Sequence, residues 1–201
     1  MQISNYHQQW LSGVFLFAFT IIGCQESNSV QPITPPSAIV PLTVGNSWTF
    51  NQVGYDTLGN ILGSEQLNSV VRDSIVAGHR LFVYSTMLCL NTDTGLVYVD
   101  SYYDTTLHFQ LFYKYPTKPG DIYFYDYFSH VTFQVGSIDT LIHVPAGTFH
   151  CISYKIYGDG VLEQERFLSP SMGLVRGISY GPLLSGKTFT TVTELTGYFI
   201  K

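Results

Sequence analysis

Residues 138–168 read IDTLIHV-PAG-TFHCISYKIY-GDG-VLEQERFL, three runs rich in Ile, Val, Thr, Tyr and Phe separated by two short punctuators. β-Branched and aromatic side chains suit a pleated, half-buried surface. Pro-Ala-Gly and Gly-Asp-Gly supply the residues that turn tightly or tolerate positive φ. Strands joined by so few residues run antiparallel, because a parallel return needs a long crossover. Residues 144–147 therefore read as one hairpin corner, with Pro145 presetting φ and Gly147 closing the turn. Residues 158–160 read as a second.

The same pattern extends in both directions. Similar runs occupy residues 47–55, 81–90, 96–103, 107–115, 122–127, 130–135, 174–180 and 188–200, and one or two more are expected between 61 and 76. Asp56-Thr57-Leu58-Gly59-Asn60 and Asn91-Thr92-Asp93-Thr94-Gly95 punctuate them as turns. No sustained helical period occurs after Leu42. The prediction is an all-β fold, an antiparallel meander of about 10–12 strands, curled into a half-barrel or barrel-like sheet or folded as a sandwich. Alternation breaks at residues 122–128, IYFYDYF, which carry aromatics on both faces. Either this strand is buried on both sides with its hydroxyls reaching water, or it lines an aromatic concavity. On the second reading Tyr113, Tyr115, Tyr123 and Tyr125 are the candidate ligand-lining residues.

Composition narrows the function. The chain has 201 residues with 14 acidic and 9 basic side chains, a formal net charge of -5. Charged residues make up 11%, against about 25% in typical soluble proteins, and aromatics make up 15%. So little charge with so many aromatics excludes a disordered chain. Scarce Lys and Arg argue against a nucleic-acid partner.

The N-terminus reads as a targeting signal. Residues 11–23, LSGVFLFAFTIIG, form a 13-residue apolar stretch, shorter than the roughly 20 residues a membrane-spanning helix needs and suited to the core of a secretory signal. It ends Ile21-Ile22-Gly23-Cys24, which resembles a bacterial lipobox. Residues 1–10 depart from the pattern in lacking Lys and Arg, and Ile22 is bulkier than its usual occupant. The resemblance implies a lipoprotein signal peptide over 1–23, cleavage before Cys24, and acyl chains on Cys24 that anchor the chain to a membrane. Residues 24–41 then read as the lipidated Cys and a Pro-rich flexible tether, holding four of the nine prolines, and residues 42–201 as a single β domain. Gln25, where inner-membrane retention calls for Asp, favours the outer membrane. An outer-membrane barrel is disfavoured, since many runs fall short of about 9–11 residues.

Three segments carry a wider resemblance. Pro41-Leu42-Thr43-Val44-Gly45-Asn46-Ser47-Trp48-Thr49-Phe50, Val144-Pro145-Ala146-Gly147-Thr148-Phe149-His150-Cys151 and Ser169-Pro170-Ser171-Met172-Gly173-Leu174-Val175-Arg176 are similar to the P-L-x-x-G-N-x-W-x-Y, V-P-A-G-T-F-x-C and A-P-G-V-G-L-V-K motifs of a group of secreted, largely uncharacterised bacterial lipoproteins. Ser171 and Met172 depart from the third. That resemblance implies a relation to LolA/LppX-like curved β-sheet lipoprotein carriers.

Candidate chemistry is sparse. Residues 181–188, GPLLSGKT, match the G-x-x-x-x-G-K-[ST] phosphate loop letter for letter, but a β-branched run follows where such a loop needs a helix N-terminus. They read as a hairpin loop. His143 and His150 flank the Pro-Ala-Gly corner and face each other in one register, yet a zinc site wants three or four ligands. Glu163 and Glu165 share a strand face and read as solvated carboxylates. H-E-x-x-H and S-x-x-K are absent, and residues 91–95 lack the repeated acids of a calcium loop. Cys89 and Cys151 could form a disulfide in an oxidising compartment or rest as buried thiols. The expectation is a non-catalytic, extracytoplasmic lipoprotein with no cofactor and no metal, binding a hydrophobic or amphipathic small molecule in its curved sheet. The alternative is a structural or protein-interaction lipoprotein with a filled core.

Overall fold

The computed structural model describes residues 38–100, 107–125, 130–182 and 188–201. The expected signal segment, Cys24 and all but the last four residues of the expected tether lie outside the described residues. These residues form fourteen strands and no helix: β1 (Ser47–Tyr55), β2 (Ile61–Val70), β3 (Arg72–Val76), β4 (His79–Tyr84), β5 (Met87–Thr92), β6 (Gly95–Asp100), β7 (His108–Lys114), β8 (Ile122–Phe124), β9 (Val131–Val135), β10 (Thr140–Val144), β11 (Gly147–Gly158), β12 (Val161–Ser169), β13 (Gly173–Pro182) and β14 (Thr188–Phe199). Every pairing is antiparallel.

The strands divide into two sheets. The larger runs β2-β1-β14-β13-β12-β11-β9-β8, with β10 paired to β11, and the smaller is the meander β3-β4-β5-β6-β7. β10 takes the first half of β11, Val144↔Gly147 to Thr140↔Cys151, and β9 the second, Tyr154↔Val135 to Gly158↔Val131. β14 returns beside β1, from Ser47↔Phe199 to Tyr55↔Thr190. β2 and β8 end the large sheet without pairing each other, so no barrel closes. The expected all-β antiparallel fold is what forms, with more strands than ten to twelve and in two sheets.

The turns follow their chemistry. Asp56 Oδ1 accepts the amides of Leu58 and Asn60, and Gly59 takes φ 82°. The run at 81–90 differs from its reading as one strand. A turn at Ser85, φ 57°, splits it into β4 and β5. No Gly, Pro or Asn marks that turn. It is held instead by Ser69 of β2, whose buried Oγ accepts the Ser85 amide at 2.9 Å.

One core joins the sheets. Trp48, Phe50, Phe133, Tyr154, Leu168 and Leu195 of the large sheet pack with Tyr84, Cys89, Leu96 and Tyr113 of the small one. Trp48 is 1% exposed. Its Nε1 donates to the Met172 carbonyl at 2.8 Å, and its ring meets Tyr84 edge-on at 5.1 Å. Two tyrosine hydroxyls of the large sheet reach β7, the last strand of the small one. Tyr154 donates to the Lys114 carbonyl at 2.8 Å, and Tyr123 donates to the Phe112 carbonyl at 3.0 Å while accepting the Lys114 amide. Residues ahead of Leu42 also join the core. Ile39 and Val40, read as the end of the tether, are buried in this core. An apolar pair beside a sheet gains more from burial than from solvation, and Ala38 and Val40 offer carbonyls to Ser171 and Asn91.

Removing one inter-sheet hydroxyl tests this packing. Tyr154→Phe leaves a carbonyl of β7 without its partner, and urea unfolding should show stability reduced by about 1–2 kcal/mol.

Candidate functional site

A cleft of about 390 Å³ opens between the sheets, within the range of roughly 300–1,000 Å³ typical of small-molecule sites. One side is the inner face of the large sheet: Phe50 and Gln52 of β1, Leu67 of β2, Gln164, Arg166 and Leu168 of β12, Leu174 of β13 and Thr193 of β14. The other side is the β4–β5 hairpin, Tyr84 to Met87, with Phe112 and Tyr113 of β7. Register explains the lining. Side chains alternate across a strand, so Gln164, Arg166 and Leu168 share the face of β12 that looks into the domain.

Among the described residues Arg166 is the only charged one lining the cleft. Its Nε and Nη2 donate to Gln164 Oε1 at 3.1 and 2.8 Å. Opposite it across the ladder stands Gly177. A Cβ there would lie 2.5 Å from Arg166 Nη1, so only glycine leaves the guanidinium its place. Next in the row, Thr193 donates to Gln52 Oε1 at 3.0 Å, and Gln52 donates to Glu65 of β2 at 2.9 Å. Burial, reinforced for Tyr84 by Tyr113, pushes the Tyr84 and Tyr113 phenols above the usual range; the Leu174 backbone and, less, Arg166 pull Tyr84 back in part, and Arg166 pulls Tyr113 back in part. Both stay neutral hydrogen-bond donors at physiological pH. A second recess of about 520 Å³ lies beside Ala38, Thr43, Arg80 and Asn91. Its one charge, Arg80, is paired with Asp73 at 3.2 Å.

The four candidate tyrosines part company here. Tyr113 lines the cleft. Tyr115 and Tyr125 are buried in the core, and Tyr123 stacks on Phe133 at 5.1 Å with its hydroxyl spent on β7. Gln164, Arg166 and Gly177 escaped the sequence reading, since a charged residue between Glu165 and Phe167 looks like any solvated strand position.

Other motifs resolve plainly. His143 pairs with Thr148 and His150 with Leu141, so the two histidines do not oppose each other. His143 Nδ1 bonds Thr148 Oγ1, and His150 Nδ1 bonds Asp139. Among the described residues no group of three or more His, Cys, Asp or Glu could hold a metal. Glu165 accepts from Ser153 Oγ at 3.2 Å, while Glu163 is exposed. The phosphate-loop lookalike has antiparallel flanks, Gly181↔Phe189 and Pro182↔Thr188, with residues 183–187 outside the described residues. Residues 177–181, GISYG, spell the G-x-S-x-G pattern of hydrolases, which the motif reading above passes over. Ser179 sits mid-strand, paired with Gln164 and Thr191, not on a strand-to-helix elbow. Cys89 and Cys151 are free and buried. Cys89 donates to the Phe82 carbonyl, and Cys151 packs with Ile142 and Val175.

Two solved structures are similar to this chain. One is a "putative exported protein with YmcC-like fold" from Bacteroides fragilis, 14% identical, with a TM-score of 0.41 over 83% of this chain and 100% of the other. The second is a "putative lipoprotein" from Parabacteroides distasonis, 17% identical, with a TM-score of 0.43 over 82% and 99%. No family model and no curated protein matches the chain.

The thiols give a direct check of packing. Burial pushes Cys89 and Cys151 up to about 12, so at pH 8 almost no thiolate exists to react. Iodoacetamide should leave both unmodified in the folded protein and label both in urea. Mass spectrometry after proteolysis reads the outcome.

Proposed function

We propose that the chain is a cell-envelope lipoprotein, anchored by acyl chains on Cys24, whose β domain binds a small amphipathic molecule in the cleft between its sheets. The cleft carries this reading. There Phe50, Leu67, Met87, Phe112, Leu168 and Leu174 meet a polar row, Gln52, Thr193, Gln164 and Arg166. An apolar wall supplies area, and a few placed polar groups supply orientation. The lipobox-like Ile21-Ile22-Gly23-Cys24 supports the anchor, and two or more acyl chains make such anchoring stable. Gln25 after the cysteine favours the outer membrane. Kinship with curved-sheet (LolA/LppX-like) carriers belongs to the same proposal. No catalytic step, cofactor or nucleic acid enters it.

The second reading is interaction through β2. This strand ends the large sheet, and Ile61, Leu62, Leu67 and Val70 are exposed along it. An open strand edge can take a partner's strand.

Two measurements separate these readings. Cys24→Ala should move the chain from the membrane fraction to the soluble fraction and remove the acyl mass. Native mass spectrometry of the gently purified full chain should show an added mass that organic solvent extracts and that Met87→Trp, which fills the cleft, abolishes. A bare polypeptide mass, unchanged by incubation with lipid extract, would transfer the proposal to β2.

A further inference from the structure

Resting on the cleft as the binding site, we infer that its ligand is a carboxylate, the acid end of a medium-chain fatty acid or a molecule of that form, with Arg166 as counter-ion and Tyr113 as a second donor. Arg166 offers five N–H donors in a fixed fork. Gln164 occupies the edge formed by Nε and Nη2. Beyond Gln164, Arg166 makes no hydrogen bond to a described residue, and no carboxylate of the described residues pairs with it. An unpaired charge in a partly buried position is costly. Two features nevertheless hold it: Gln164 fixes its plane and Gly177 clears its space.

Tyr113 is an independent observation pointing the same way. It is 6% exposed and lines the cleft, and its hydroxyl bonds no described residue. Among the described residues the buried side-chain polar atoms without a hydrogen-bond partner are Asn91 Oδ1 and Arg176 Nε, so the Tyr113 hydroxyl is open to the cleft and free to donate. Tyr113 and Arg166 lie close enough for the guanidinium charge to act on the phenol.

The lining also specifies the charge of the ligand. A single Arg with no Lys beside it matches one negative charge, and a guanidinium edge matches the planar, two-oxygen geometry of a carboxylate. The volume of about 390 Å³ falls in the small-molecule range, and decanoate serves as the probe.

The test uses the full, lipidated chain in lipid nanodiscs, with empty discs as baseline. It is titrated in parallel with [1-13C]decanoate and [1-13C]decan-1-ol and read by 13C NMR. Decanoate should bind about 10- to 100-fold more tightly than decanol, the worth of a charge-assisted pair. Arg166→Gln should erase that preference, and Gly177→Ala, which leaves every charge in place, should reduce it. Tyr113→Phe should weaken decanoate several-fold. Equal binding of the acid and the alcohol by the wild-type chain overturns the carboxylate assignment and leaves the cleft reading standing. Binding of neither probe overturns both. The wild-type comparison needs no variant, so a substitution that fails to fold does not blunt it.

Discussion

Tyr154 and Tyr123 project from the large sheet and close the outward-facing backbone of β7 with their hydroxyls, at Lys114 and Phe112. β7 is the last strand of the small sheet and would otherwise present an open edge. Side chains of one sheet thus stand in for the missing neighbour of the other. The arrangement holds the sheets at the distance a tyrosine spans. The rings fill that gap through Tyr113, Phe133 and Phe112, whose centroids lie 4.5–5.7 Å from their partners. Phe112 and Tyr113 also form part of the cleft, so the contact that closes the edge also positions the site.

Cleft and core meet where the packing changes character. Toward β8 and β9 the space between the sheets is filled by aromatic side chains. Toward β1, β14 and β12 the inner face turns polar at Gln52, Thr193 and Arg166, and the cleft opens there against Tyr84, Met87, Phe112 and Tyr113 of the small sheet. The β4–β5 hairpin bounds it, tied down by Ser69 at Ser85. In a chain of net charge -5, the single charge among the described residues lining this space is positive, which favours an anionic end on whatever occupies it.

Much of the fold could be read from the chain. β-Branched and aromatic runs, punctuated at Asp56–Asn60, Pro145–Gly147 and Gly158–Gly160, gave the antiparallel all-β class, because those turns act locally. What escaped depends on distant partners. The turn at Ser85 rests on Ser69, and the burial of Ile39 and Val40 rests on the core they join. Tyr115, Tyr123 and Tyr125 looked like ligand liners beside Tyr113 because alternation cannot distinguish a ring that fills a core from one that faces a cavity. Arg166 was hidden for the same reason: its role needs Gly177, eleven residues away, directly opposite, and that register is not written locally. The quoted motifs prove structural. Asn46 is fully buried, donates to the Pro41 carbonyl and accepts the Lys201 amide. Trp48 of the first motif bonds Met172 of the third, and Ala146 of the second donates to Leu195.

The account stands on the cleft being a place for a ligand and not a packing defect. A crystal structure of the full chain, purified from its native membrane without delipidation, tests this most directly. The account predicts continuous non-protein density between the sheets, apolar against Met87 and Leu168 and ending within hydrogen-bond distance of the open edge of Arg166 and the Tyr113 hydroxyl. A cleft holding only ordered water, or one closed by collapse of the β4–β5 hairpin onto β12, would contradict it.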